Sequence, residues 1–117
     1  MKDKSTRNLT AGEALRALGL TDAAAGRYYY SLYQAAVHRL TLLGWTPGRV
    51  RRGAIEWSHV MVMKHVHLVR GRASDCDLYG AMRALRTRAD YRDDNVDAGE
   101  LADCVPAVRE FVEEATA

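Results

Sequence analysis

The six residues Arg86-Thr87-Arg88-Ala89-Asp90-Tyr91 bring two guanidiniums, a carboxylate and a phenol together near the end of an amphipathic pattern. At about 100° per residue on a regular helix, Arg83, Arg86 and Asp90 share one flank beside the apolar stripe, with Tyr79 close by. Two chemistries fit that flank. Arg86 and Asp90, four apart, can bridge and tie down the acidic turn Arg92-Asp93-Asp94-Asn95, although their charge order is the reverse of the favoured one. Alternatively, a partly buried arginine between an acid and a phenol can orient and stabilise a scissile phosphate. The second reading makes Arg86, Asp90 and Tyr91 candidate catalytic residues, with Arg83 and Arg88 as candidate RNA contacts.

Other side chains offer less. Tyr28, Tyr29, Tyr30 and Tyr33 could stack on unpaired bases. Tyr29 and Tyr33, however, fall on a helical core stripe with Tyr28 or Tyr30 at its edge, and packing in a core or dimer is the simpler reading. Arg49, Arg51 and Arg52 lie in a turn-rich linker, Trp45 to Gly53, either as a solvated loop or as further phosphate contacts. His59 follows Arg52 by seven positions, a spacing that reads as chance. His65 and His67 would point roughly 200° apart on a helix. With no HExxH run and no Cys/His cluster, neither a metal site nor a cofactor is expected. No local Ser-His-Asp or Cys-His signature and no glycine-rich phosphate loop is present.

The elements that must carry these residues read as helices almost throughout. Thr10-Ala11-Gly12-Glu13 has capping-box spacing and opens a short helix to about Leu18, closed by Gly19. Residues 1–9 read as a flexible lead-in. Thr21 or Asp22 caps a long helix to Leu43, with Tyr29, Leu32, Tyr33, Ala36, Val37, Leu40 and Leu43 as its stripe and Gly44 at its end. Ile55 to Arg70 could alternate as a strand over residues 60–68, but its length before Gly71 favours a buried helix. Ser74 starts a fourth helix with Leu78, Met82, Leu85 and Ala89 inward. Asp97-Ala98-Gly99-Glu100 is a second capping box. It leads a last helix that buries Leu101, Val105, Val108, Phe111, Val112 and Ala115, with Pro106 near its start or at a kink. The expected fold is all-α, an up-and-down bundle of about five helices.

A chain of 117 residues holds one core, so residues 1–117 read as a single domain. Its apolar runs fall well short of the roughly 20 residues of a membrane span. The charged start, Met1 to Asn8, has no apolar core of the kind a secretory signal carries, so a cytoplasmic location is expected. Cys76 and Cys104 read as reduced, buried thiols. The net charge of +2 conceals an asymmetry. Residues 1–72 hold 12 Lys/Arg against 4 Asp/Glu, and residues 73–117 hold 5 against 11. A basic half can attract phosphate backbones, and the two halves could equally pair between molecules.

In order and spacing, these motifs resemble the HEPN superfamily. The resemblance rests on Arg27-Tyr28-Tyr29-Tyr30-Ser31-Leu32-Tyr33-Gln34-Ala35-Ala36, Leu42-Leu43-Gly44-Trp45-Thr46-Pro47, Trp57-Ser58-His59, and Arg86-x-x-Ala89-Asp90-Tyr91 before an acidic-capped final helix. It covers residues 21–116 and is most similar to a prokaryotic branch bearing the Tyr-Tyr and Arg-x-x-Ala-Asp-Tyr motifs. HEPN proteins are small helical bundles that usually dimerise. Many are metal-independent ribonucleases of toxin–antitoxin or defence systems, often encoded beside a minimal nucleotidyltransferase antitoxin. The resemblance therefore implies a homodimer with RNA and a nucleotidyltransferase as partners. It places Arg86 at the arginine of the family's Arg-x4–6-His motif and Tyr91 where the histidine stands. A phenol titrates near 10 against about 6.5 for imidazole, so Tyr91 is a poor base at neutral pH. The expectation is an RNA-binding or partner-binding module with a degenerate nuclease motif, the alternative being a ribonuclease toxin that uses Arg86.

Overall fold

The computed structural model describes residues 1–46, 57–91 and 95–117. They form α1 (Lys2–Ala17), α2 (Thr21–Leu42), α3 (His59–His65) with a single 3-10 turn after it (Val66–Leu68), α4 (Ser74–Tyr91) and α5 (Ala98–Ala115). No strand occurs among the described residues; these form an all-α bundle of five helices, and the run from Val60 to Leu68 is helical. It is shorter than its apolar pattern suggests. Ser58 caps α3 by accepting the Met61 N–H at 3.1 Å, and the last apolar residues tighten into the 3-10 turn.

α2 is the hub, touching α1 and α3 along with α4 and α5. For that reason its buried face is wider than one stripe. Ala24, Ala25, Tyr28 and Ala35 are fully buried beside Tyr29, Leu32, Ala36 and Leu40, whereas Leu43, expected inside, is exposed. Both ends of the α1–α2 hairpin close as their glycines foretell. Gly19 (φ 75°) lets its own N–H reach the Arg16 carbonyl and the Leu20 N–H reach Leu15. Gly44 (φ 91°) does the same with Thr41, while Trp45 reaches back to Leu40.

The first helix departs most from expectation. It begins at Lys2, eight residues before the capping-box spacing at Thr10, so residues 2–9 are helical. Thr10 caps nothing: its hydroxyl donates to the Thr6 carbonyl inside the helix. What recruits residues 2–9 is a seam of small and polar side chains rather than an apolar stripe. Ser5, fully buried, donates to the Ser31 carbonyl at 2.7 Å, and Ser31 donates back to the Ser5 carbonyl at 2.8 Å. Two turns on, Gly12 lies so close to Tyr28 that an added Cβ would sit 3.2 Å from its ring.

The remaining helices follow their patterns more closely. α5 buries the six residues expected of it, and Asp97 caps it by accepting the Glu100 N–H at 3.0 Å. Pro106 is inside α5 rather than at its start, on the exposed side. Asp22 does not cap α2. Its carboxylate accepts the Val96 N–H at 2.7 Å and fixes the approach to α5 against the start of α2. Arg70 grips Asp75 with two hydrogen bonds of 2.9 Å, holds Glu110 and Glu114 of α5, and lies over Phe111. Arg72 joins the same acids, so part of the charge asymmetry between the two halves is neutralised within the chain. Both cysteines are free and half-buried. No helix among the described residues is long and apolar enough to cross a membrane.

Candidate functional site

α4 presents Tyr79, Arg83, Arg86 and Asp90 at steps of three and four, one flank of one helix, as the spacing predicts. Arg86 is clasped on two sides. Its Nε lies 2.9 Å from Asp90 Oδ2, and its Nη2 donates to the Tyr30 hydroxyl at 3.0 Å. The Nε–Asp90 approach is close enough for charge attraction but not aligned as a hydrogen bond, because the buried Nε–H has no acceptor in line. The guanidinium carbon also stands 5.3 Å from the Tyr30 ring centroid and 5.8 Å from that of Tyr29, within cation–π reach of both. The side chain keeps 20% of its surface exposed.

Opposite Arg86 is a residue that no spacing along the sequence assigns to the site. His59, the first residue of α3, inserts its ring among three tyrosines of α2. It stacks on Tyr29 at 5.4 Å, meets Tyr33 at 4.6 Å and stands edge-on to Tyr30 at 6.1 Å. Its Nδ1 is 2.5 Å from the Tyr29 hydroxyl, which is 2.9 Å from the hydroxyl of Tyr79. Tyr33 anchors the entry to α3 by donating to the Trp57 carbonyl. A hydrogen-bonded row thus runs from the half-exposed imidazole through two buried phenols to α4.

Electrostatics follow from this packing. Burial, reinforced by the positive charges of Arg86 and Arg83, holds the His59 imidazole below its ordinary value, so it is neutral near pH 7. Burial pushes the phenols of Tyr29 and Tyr79 up, so both remain hydroxyls able to donate and accept. The cluster therefore combines a partly exposed arginine and a neutral imidazole whose orientation is fixed. Those are the two groups that acid–base chemistry on a phosphate ester needs.

The other candidates are distributed differently. Arg83 has no acidic partner among the described residues and lines an open groove with Gly80, Ala84, Thr87 and Arg88. Arg88, a candidate RNA contact, grips Glu100 of α5 through both terminal nitrogens, at 3.2 and 3.4 Å. Tyr91 closes α4, but its side chain lies outside what the structure describes, as do Arg49, Arg51 and Arg52. Tyr28 and Tyr29 are fully buried, so neither can serve as a stacking platform for a base. Among the described residues no three metal-ligating side chains gather. No family model matches this sequence, and no curated protein matches it.

Proposed function

We propose that the chain is a HEPN-like, RNA-directed module of a toxin–antitoxin or defence system, and that Arg86 and His59 form a metal-independent ribonuclease centre. The observation that carries this reading is the neutral His59 imidazole, tied to Tyr29 and packed against the same tyrosines as Arg86. The family resemblance places tyrosine where the motif's histidine stands. A histidine from another helix supplies the missing base.

In the reaction this centre would run, His59 takes the proton of a ribose 2′-hydroxyl, whose oxygen attacks the adjacent phosphorus. The P–O5′ bond breaks, and the departing 5′ oxygen receives a proton from the imidazolium or water, leaving a 2′,3′-cyclic phosphate. Arg86, with Arg83 alongside, stabilises charge on the phosphoryl oxygens. The step requires the tautomer in which Nδ1–H donates to Tyr29, because only then does Nε2 carry a lone pair. Two subunits would double the site, as in HEPN homodimers, and a minimal nucleotidyltransferase would be the partner protein.

A second reading rests on the clasp around Arg86. An arginine already held by Asp90 and Tyr30 could bind RNA without cleaving it. One experiment separates the two. Purified protein is incubated with total RNA in EDTA, beside Arg86→Ala, His59→Gln and Tyr91→Phe variants. Cleavage abolished in the first two variants supports the centre proposed here. RNA binding without cleavage by the wild type leaves the binding module. Cleavage that survives His59→Gln but not Tyr91→Phe returns the base to Tyr91.

A further inference from the structure

Every cation in an ion pair among the described residues lies at position 70 or beyond, namely Arg70, Arg72, Arg86, Arg88 and Arg109. Their partners include most of the acids on α5. By contrast, none of the six Lys and Arg residues of α1 and α2 stands within ion-pair distance of a described acid. With Arg70 and Arg72 paired, the basic surplus that remains among the described residues of the N-terminal half is carried chiefly by α1 and α2, without ion-pair partners there.

Three of those cations converge. Lys4, Arg7 and Arg27 line a groove between α1 and α2 together with Asn8, Ala11 and Gln34, and no acid lines it. The cations are held rather than loose. Arg27 donates to the Asn8 side-chain oxygen at 3.1 Å, Asn8 donates to Gln34 at 2.8 Å, and Arg7 donates to the Asp3 carbonyl at 3.3 Å. Arg27 also lines a second groove with Asp22, Ala23, Gly26, Tyr30 and Asp90, whose two carboxylates make it acidic, and the Tyr30 hydroxyl accepts from Arg86.

We infer that the α1–α2 groove is a binding track for the phosphate backbone of a single-stranded nucleic acid. Guanidinium and ammonium groups without an internal counter-charge exchange mobile counterions for phosphates, the dominant source of affinity for such strands. Asn8 and Gln34 add neutral hydrogen-bonding groups between the charges. The inference borrows from the proposed function only the choice of RNA as the strand. The groove includes neither Arg86 nor His59.

The test is fluorescence anisotropy with a labelled single-stranded RNA of mixed sequence across a salt series. The proteins are wild type, the triple variant Lys4→Glu/Arg7→Glu/Arg27→Glu, the double variant Lys4→Glu/Arg7→Glu, which leaves the Arg27–Asn8 bond intact, and Lys64→Glu on α3 as a single charge-reversal control outside the groove. Circular dichroism checks that each is folded. The triple variant is expected to bind roughly tenfold or more weakly, and its slope of log affinity against log salt to fall by about 2, near 0.7 for each phosphate no longer neutralised. The double variant should lie between it and wild type. Equal weakening in Lys64→Glu and the triple variant would overturn the groove, as would poly-glutamate binding as tightly as RNA. Failure of cleavage is a separate outcome. If the wild type binds through the groove but cuts nothing, the proposed ribonuclease falls and the track stands. If it cuts, and the triple variant keeps wild-type KM, the track falls and the ribonuclease stands.

Discussion

His59 Nδ1 lies 2.5 Å from the hydroxyl of Tyr29, thirty positions earlier in the chain, and this contact joins α3 to the buried middle of α2. The bond fixes the ring's orientation, while burial and two nearby arginines fix its charge. The folded imidazole therefore titrates below the ordinary histidine value of about 6.5. Between the folded and unfolded values the unfolded chain binds more protons. Stability is therefore complete above about pH 6.5 and declines as pH falls toward the folded value. An NMR titration of the His59 ring should place its midpoint below those of the other histidines of an unfolded reference. If the chain cleaves RNA, kcat/KM should rise with pH through that same midpoint. A midpoint at or above 6.5 would contradict the packing described here.

Tyr29→Phe removes the common partner of His59 Nδ1 and the Tyr79 hydroxyl. Tyr79 is fully buried, so its hydroxyl is left without a mate, a decrease of about 1–3 kcal/mol in unfolding free energy. Tyr30→Phe removes only a half-exposed acceptor of Arg86 and should cost about 1 kcal/mol or less. Urea denaturation of the two variants checks the order. Equal effects would argue against the buried row.

Asp75→Ala is expected to destabilise the bundle by about 3 kcal/mol. The carboxylate is almost wholly buried, and its removal strands Arg70 inside the fold with Glu110 and Glu114 as remaining counter-charges. Glu110→Ala, at an exposed position, should change stability far less than Asp75→Ala. Chemical denaturation of both variants distinguishes a buried anchor from a surface pair.

Removing residues 2–9 should lower the melting temperature, because the deleted turns contain Ser5 and its exchange of hydrogen bonds with Ser31. Ser5→Ala alone should cost about 1 kcal/mol. An unchanged melt for the truncated protein would mean that these turns dock too weakly to matter.

How much of this was legible depends on which force each element uses. α5 was read in full because one apolar stripe against one core has a single helical period, and all six of its inward residues are where that period puts them. α2 was read in part. Its glycine close at Gly44 and most of its stripe are as expected, but Tyr28 is buried against Gly12 of α1, which a stripe on one face cannot announce. The start of α1 was missed because serine, asparagine and glycine carry no apolar signal, and a spurious capping box at Thr10 offered a later beginning. In the candidate site, Arg83, Arg86 and Asp90 share a helix, so their spacing revealed them. His59 reaches the same place from another helix across a linker, and no periodicity links it to Arg86. Only the packing of α3 onto Tyr29, Tyr30 and Tyr33 does.

The seam between Ser5 and Ser31 has a calorimetric consequence. Hydration of apolar surface raises heat capacity on exposure, while hydration of polar surface lowers it. Opening the first two turns of α1 exposes hydroxyls and backbone groups along with a little apolar surface, so the two contributions nearly cancel. Detachment of that segment would leave almost no mark on the heat-capacity baseline, and amide exchange at Ser5 and its neighbours would register it instead.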